Sequence, residues 1–288
     1  MKRIAALLMG MLFSFASLAA GPAAVRKTIE SSMLVTGWAM IEPDGSVGRL
    51  DLDQREKLDP GVAGLIDKAG EQWRFEPVLV DGVARKAKAR MSLRIVAKKV
   101  EADQYAVSIR SGYFGEEAMT PEEYVARADS IKPLSMKPPA YPPSALRQGA
   151  RGTVYLVVKV GREGAVQDAF AEQVNLRVVG SENEMTRLRD MFAKSAMAAA
   201  KAWRFQWPTE GRHAGAEQWS VRVAVDYEFH GEKKPQYGEW STYVPGPRQS
   251  APWELEKPDP NQSPDALIAG ALYEVGKGLR LLTPLHPG

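Results

Sequence analysis

The chain has 288 residues, enough for about two domains of ordinary size. Hydrophobic residues make up 44% and charged residues 25%, and seven Trp, nine Tyr and eight Phe suffice for a core, which argues against global disorder. The net charge of +3 lacks the concentrated basic face of a nucleic-acid binder, and zero cysteines exclude disulfide frameworks, zinc ribbons and thiol catalysis.

The N-terminus reads as an address. Met1-Lys2-Arg3 is a short basic region, Ile4 to Leu18 is apolar and uncharged, and Ala19 follows among small residues. This is the pattern of a secretory signal peptide, and residues 1–20 are assigned to it. The alternative is an inner-membrane anchor extended to Val25, but Gly21-Pro22 interrupts that stretch with a helix breaker. Export to a periplasm suits a chain without cysteine.

The rest of the chain carries one pattern twice. In residues 28–100, Val35 to Ile41 and Ser46-Val47 flank the turn Glu42-Pro43-Asp44-Gly45 and predict a β-hairpin. Asp59-Pro60 is a helix start, and Val62, Leu65, Ile66, Ala69 and Trp73 share one helical stripe. Trp73-Arg74-Phe75-Glu76-Pro77 closes that helix, and Met91, Leu93 and Ile95 alternate with polar residues in a final strand. Residues 101–132 form a linker, with Val107 to Phe114 as a short strand or packed loop and a short helix started by Thr120-Pro121-Glu122-Glu123.

Residues 133–230 repeat the order. Val154 to Val160, the turn Gly161-Arg162-Glu163-Gly164 and Ala165-Val166 predict a second hairpin. Ser181-Glu182-Asn183-Glu184 is a capping box for a helix carrying Leu188, Met191, Phe192, Ala196, Ala199 and Trp203 on one face. Trp203-Arg204-Phe205-Gln206-Trp207-Pro208 closes it, and Val221, Val223, Val225, Tyr227 and Phe229 alternate in a period-2 strand. Turn on turn, Val35 aligns with Val154 without a gap. The expected fold is α+β: two tandem units, each a three-stranded antiparallel sheet packed by one helix. Both Trp-Arg-Phe motifs are read as core. The tail, residues 231–288, is rich in Pro, Tyr and Trp, is expected to lie across a domain surface, and has a predicted helix from Ser263-Pro264-Asp265 carrying Leu267, Ile268, Leu272, Val275 and Leu279.

The second unit opens on Pro139-Ala140-Tyr141-Pro142-Pro143-Ser144-Ala145, followed by Gly149 and Gly152. With the hairpin, the helix ending in Trp203, Phe205 and Pro208, and the last strand, it resembles the C-terminal domain of TonB and TonB-family proteins. The first unit shares the later motifs, lacks the Tyr-Pro-x-x-Ala lead-in, and is read as a degenerate second copy. The resemblance implies a periplasmic module that binds an outer-membrane receptor segment by adding a strand to a sheet edge. In that family, energy arrives through an N-terminal membrane helix. Tyr141, Pro142, Ala145, Gly149, Gly152, Trp203, Phe205 and Pro208 carry the motif and are assigned mainly structural roles.

A sheet edge offers unpaired N–H and C=O groups to an extended peptide. The strand carrying Trp219, Val221, Val223, Val225 and Tyr227 is the longest and most regular, so it is the candidate partner-binding edge. Its candidate occupants are an envelope or outer-membrane protein such as a TonB-dependent receptor, a second copy of the chain in a homodimer, the other unit, or the tail. Functionally, a non-catalytic protein-binding module is expected, with a membrane-anchored energy transducer and a structural envelope-assembly protein as alternatives. Enzymatic signatures are missing: His213, His230 and His286 have no ligand-spaced partners, and no Gly-x-Ser-x-Gly, His-Glu-x-x-His or Walker motif occurs. No cofactor, metal or nucleic acid is expected.

Overall fold

The computed structural model describes residues 21–101, 104–211, 214–254, 259–270, 272–276 and 278–286, the side chain of Glu117 excepted. The expected signal peptide, 1–20, and His213 lie outside the described residues. In chain order the elements are α1 (Pro22–Arg26), β1 (Glu30–Ile41), β2 (Val47–Leu52), α2 (Pro60–Gln72), β3 (Leu79–Val80), β4 (Val83–Ala84), β5 (Ala87–Glu101), β6 (Gln104–Phe114), α3 (Pro121–Val125) and β7 (Lys132–Ser135). They continue as α4 (Pro143–Arg147), β8 (Gly152–Gly161), β9 (Val166–Leu176), α5 (Glu182–Ala200), β10 (Arg204–Gln206), β11 (Gln218–Tyr227), β12 (Ser241–Tyr243) and β13 (Leu272–Glu274). Gly21 is extended and Pro22 starts α1, since proline fits the first turn of a helix.

Two antiparallel sheets dominate this α+β fold. In the first, β1 lies between β5 and β2, β6 extends the sheet beyond β5, and β12 pairs with β1 at Glu30–Ser32. In the second the order is β13-β11-β8-β9. Each sheet is therefore wider than the expected three strands. β6 runs for 11 residues where a short strand or loop is expected, because the outer side of β5 is a free ladder that a following hairpin arm can satisfy. The one addition to the second sheet, β13, comes from the tail.

Local signals start the helices as the residues dictate. Asp59 caps α2 through Gly61 N, with Pro60 in the first turn. Ser181 and Glu184 form a reciprocal capping box on α5, as Thr120 and Glu123 do on α3. Each long helix buries its apolar stripe against one sheet face: Val62, Ile66, Ala69 and Trp73 in one core, Leu188, Phe192, Ala196 and Trp203 in the other.

The two hairpin–helix junctions are built alike. Gly45 and Gly164 both have positive φ, and an added Cβ at either would overlap the carbonyl oxygen of Phe75 or Phe205. Phe75 N donates to Gly45 O at 2.8 Å, and Phe205 N donates to Gly164 O at 2.8 Å. Arg74 and Arg204 each turn back a guanidinium N–H to the carbonyl of the preceding Trp.

The tail holds no terminal helix among its described residues. Pro264–Ala266 is a single 3-10 turn, and Leu272–Glu274 is β13. Gly270 and Gly276 both take positive φ, which breaks a helix, and the edge of β11 offers the backbone partners a helix would otherwise provide internally.

Candidate functional site

β11 carries the predicted edge residues. Trp219, Val221, Val223, Val225 and Tyr227 all point inward and are buried, so any partner would meet the backbone of β11 rather than these side chains. One flank of β11 pairs with β8 along its whole length. On the other flank, Val221, Arg222 and Val223 face Glu274, Tyr273 and Leu272 of β13 in antiparallel register. Val275 N then donates to Ser220 O at 2.9 Å. The chain has thus added a strand of its own to this edge.

The added strand is held by alternating pockets. Leu272 joins the second core beside Tyr124 and Val223. Tyr273 sits fully buried with Tyr113, Ala118 and Leu267, its hydroxyl bonded to the Ile268 backbone. Glu274 is buried and accepts a 2.9 Å hydrogen bond from the Tyr124 hydroxyl. Burial, then the charge and hydrogen bond of Glu274, push the Tyr124 hydroxyl pKa far up, so it remains a donor.

The opposite edge of this sheet is also partly engaged. Leu176 and Val244 exchange two backbone hydrogen bonds, and Gln249 N donates to Glu172 O. Beneath this stretch of tail lies a buried charge cluster. Glu172 receives Arg222 at 2.8 Å and Arg248 at 3.0 Å, and Arg222 also reaches Glu254 at 3.3 Å. The alternation of β11 suggests a solvated polar face, but Arg222 on that face is buried under the tail.

The motif residues brace the unit. The Tyr141 ring lies 5.8 Å from Phe192, 5.5 Å from Tyr227 and 5.7 Å from Phe229, and its hydroxyl bonds Ala150 O. Pro142 caps α4, Ala145 is fully buried, Gly149 has positive φ, and a Cβ at Gly152 would strike Asn175 O. Trp203 donates to Lys137 O at 2.9 Å, while Phe205 and Pro208 are buried.

Residues 137–229 match the family model of the Gram-negative bacterial TonB protein C-terminal. This segment is similar to a TonB C-terminal domain. It contains α4, β8, β9, α5, β10 and β11, and the β11 edge is its last strand. Two curated relatives named Protein TonB, from Xanthomonas campestris pv. campestris strains B100 and ATCC 33913, are each 33% identical over 100 residues. That stretch is 35% of this chain and 39% of each relative, so the similarity spans well under half of both. No solved structure gives a significant match.

A second surface feature is a cleft of about 470 Å³ between the two sheets and tail residues 234–239. Its cations are already engaged: Glu228 pairs with Arg177 at 3.3 Å and with Lys234 at 2.8 Å, and Arg94 donates to the Asp265 carbonyl at 2.7 Å. The sheet edge is therefore the better candidate. Among the described residues no cluster of three or more His, Asp or Glu could hold a metal, and no helix is long and apolar enough to cross a membrane. The tail is among the expected occupants of this edge, but the segment that fills it, the Leu-Tyr-Glu-Val run between glycines 270 and 276, is expected as part of a helix.

Proposed function

We propose that this protein is a non-catalytic binding module of the cell envelope that engages an outer-membrane or other envelope protein by strand addition at the outer edge of β11. One observation carries the reading: the last strand of the TonB-like segment accepts an extended segment, Leu272–Glu274, on that edge. Backbone pairing gives such a contact its affinity and alternate side chains give it selectivity. Residues 28–100 act in this reading as a second, degenerate unit of the same kind. Their support is the shared hairpin-to-Trp-Arg-Phe junction. The mature protein is exported to the periplasm after removal of residues 1–20.

A membrane-anchored energy transducer is the second reading, favoured by the relatives named TonB. The experiment is crosslinking of the tagged full chain in intact cells, with the captured proteins and the mature N-terminus read together. Outer-membrane receptors captured by a processed form support the module. Receptors captured by a form that retains its N-terminus select the transducer. Capture of itself alone, or of cell-wall machinery, rejects receptor binding.

A further inference from the structure

We infer that Leu272–Glu274 is a built-in stand-in for the partner, so that the β11 edge takes an extended peptide with an aliphatic, an aromatic and an acidic residue in succession and must shed its own tail to do so. The inference rests on the proposed strand addition at β11 and specifies its ligand and its control.

The three positions differ in what surrounds them. The position of Leu272 opens on the apolar core beside Tyr124, Ile131 and Val223. The position of Tyr273, opposite Arg222, is a pocket walled by Tyr113, Ala118, Ala266 and Leu267, with the Ile268 backbone as hydrogen-bond partner for a phenolic hydroxyl. The position of Glu274 is buried and meets the Tyr124 hydroxyl at 2.9 Å. Arg127 already acts on this position as a cation, so a lysine there would be a buried like charge and an acidic residue is selected.

The occupant is short and flanked by positive-φ glycines at 270 and 276, while the residues beyond it are anchored separately. Asn261 O accepts from Gly112 N at 2.9 Å and Leu279 N donates to Phe114 O at 2.8 Å, which holds the chain on either side. β13 can therefore leave the edge while its flanks stay docked. A tethered segment counts as a ligand at an effective concentration on the order of millimolar, so a free partner competes poorly until the tail moves.

The chain has no cysteine, which allows a reversible lock. Val223 and Leu272 face each other across the strands, and the V223C/L272C double variant of the full chain ties β13 to β11 when oxidised. The probe is a fluorescent synthetic peptide with the sequence of residues 268–276. The reduced variant should bind it, oxidation should weaken binding by about tenfold or more, and a peptide with Glu274→Lys should bind at least about fivefold more weakly. Circular dichroism checks folding, and V221C/E274C provides the same lock at the neighbouring pair. Equal binding to oxidised and reduced protein overturns the inference. In-cell crosslinking with the same variants separates the two readings. If envelope proteins are captured only by the reduced form and the peptide does not compete, strand addition stands and the tail-like ligand is refuted. If both forms capture the same proteins equally, strand addition at β11 itself is refuted.

Discussion

The indole N–H of Trp73 donates to the Leu285 carbonyl at 3.0 Å, across 212 residues of sequence. Trp203 makes the same bond at 2.9 Å to Lys137, in the opening segment of its own unit. The match extends further. Phe75 bridges Leu281 and Phe205 pairs with Pro133, so in both units the indole acceptor lies four residues beyond the partner of the Phe. The C-terminal segment thus gives the first unit the backbone cover that residues 132–137 give the second.

Removing one indole donor should loosen one cover only. Trp73→Phe leaves the Leu285 carbonyl without its partner and should cost about 1–3 kcal/mol. Amide exchange should speed up at 279–285 and stay unchanged at 132–137, and Trp203→Phe should give the reverse pattern. Unchanged exchange at 279–285 in Trp73→Phe would show that the tail is held by other contacts.

The two turn glycines predict matched losses. Alanine at 45 or 164 must take a positive φ and push against the carbonyl of Phe75 or Phe205. Each substitution should destabilise by about 1–3 kcal/mol. The sites belong to separate cores, so the double variant should be additive within about 0.5 kcal/mol. Urea unfolding measures all three, and a near-neutral G164A would contradict the strain argument.

Arg222 joins Glu172 and Glu254 in a buried cluster beneath the tail. Arg222→Met leaves those carboxylates short of a cation and should cost about 3–5 kcal/mol. Limited proteolysis between 244 and 254 should accelerate with it. A thermal midpoint equal to that of the parent protein would mean Arg248 alone satisfies Glu172.

Where the chain obeys short-range rules, its sequence is easily read. Asp59-Pro60 and Ser181 with Glu184 announce helix starts through their own side chains, and Gly45 and Gly164 announce turns through a backbone angle. The edge contacts depend on partners far along the chain. Leu267, Leu272, Val275 and Leu279 have helical spacing, yet a ladder on β11 and two positive-φ glycines outweigh it. The polar alternation of β5 suggests a solvated face. In the fold Ser92 and Arg94 instead donate to the backbone carbonyls of Ala266 and Asp265, 174 and 171 residues away. Nothing within either segment encodes that meeting.

Asp265 makes the tail's attachment sensitive to acid. Its carboxylate is buried, accepts from the Tyr243 hydroxyl at 3.0 Å, and lies 3.7 Å from Arg110. Burial raises its pKa, but the charges of Arg94 and Arg110 and the hydrogen bonds of Ser263 and Tyr243 outweigh burial and hold it below the ordinary value of 3.8. A carboxyl with a lowered folded pKa contributes stability that is fully present above its unfolded pKa and is lost as pH falls through the folded value. Asp265→Asn should therefore cost on the order of 1–3 kcal/mol at pH 7. The gap between the parent and the variant should stay constant down to about pH 5 and narrow below about pH 4, where the unfolded chain takes up a proton that the folded carboxylate resists. Urea midpoints across that range measure it. A gap of the same size at pH 3 as at pH 7 would show that the carboxylate charge does not hold the tail in place.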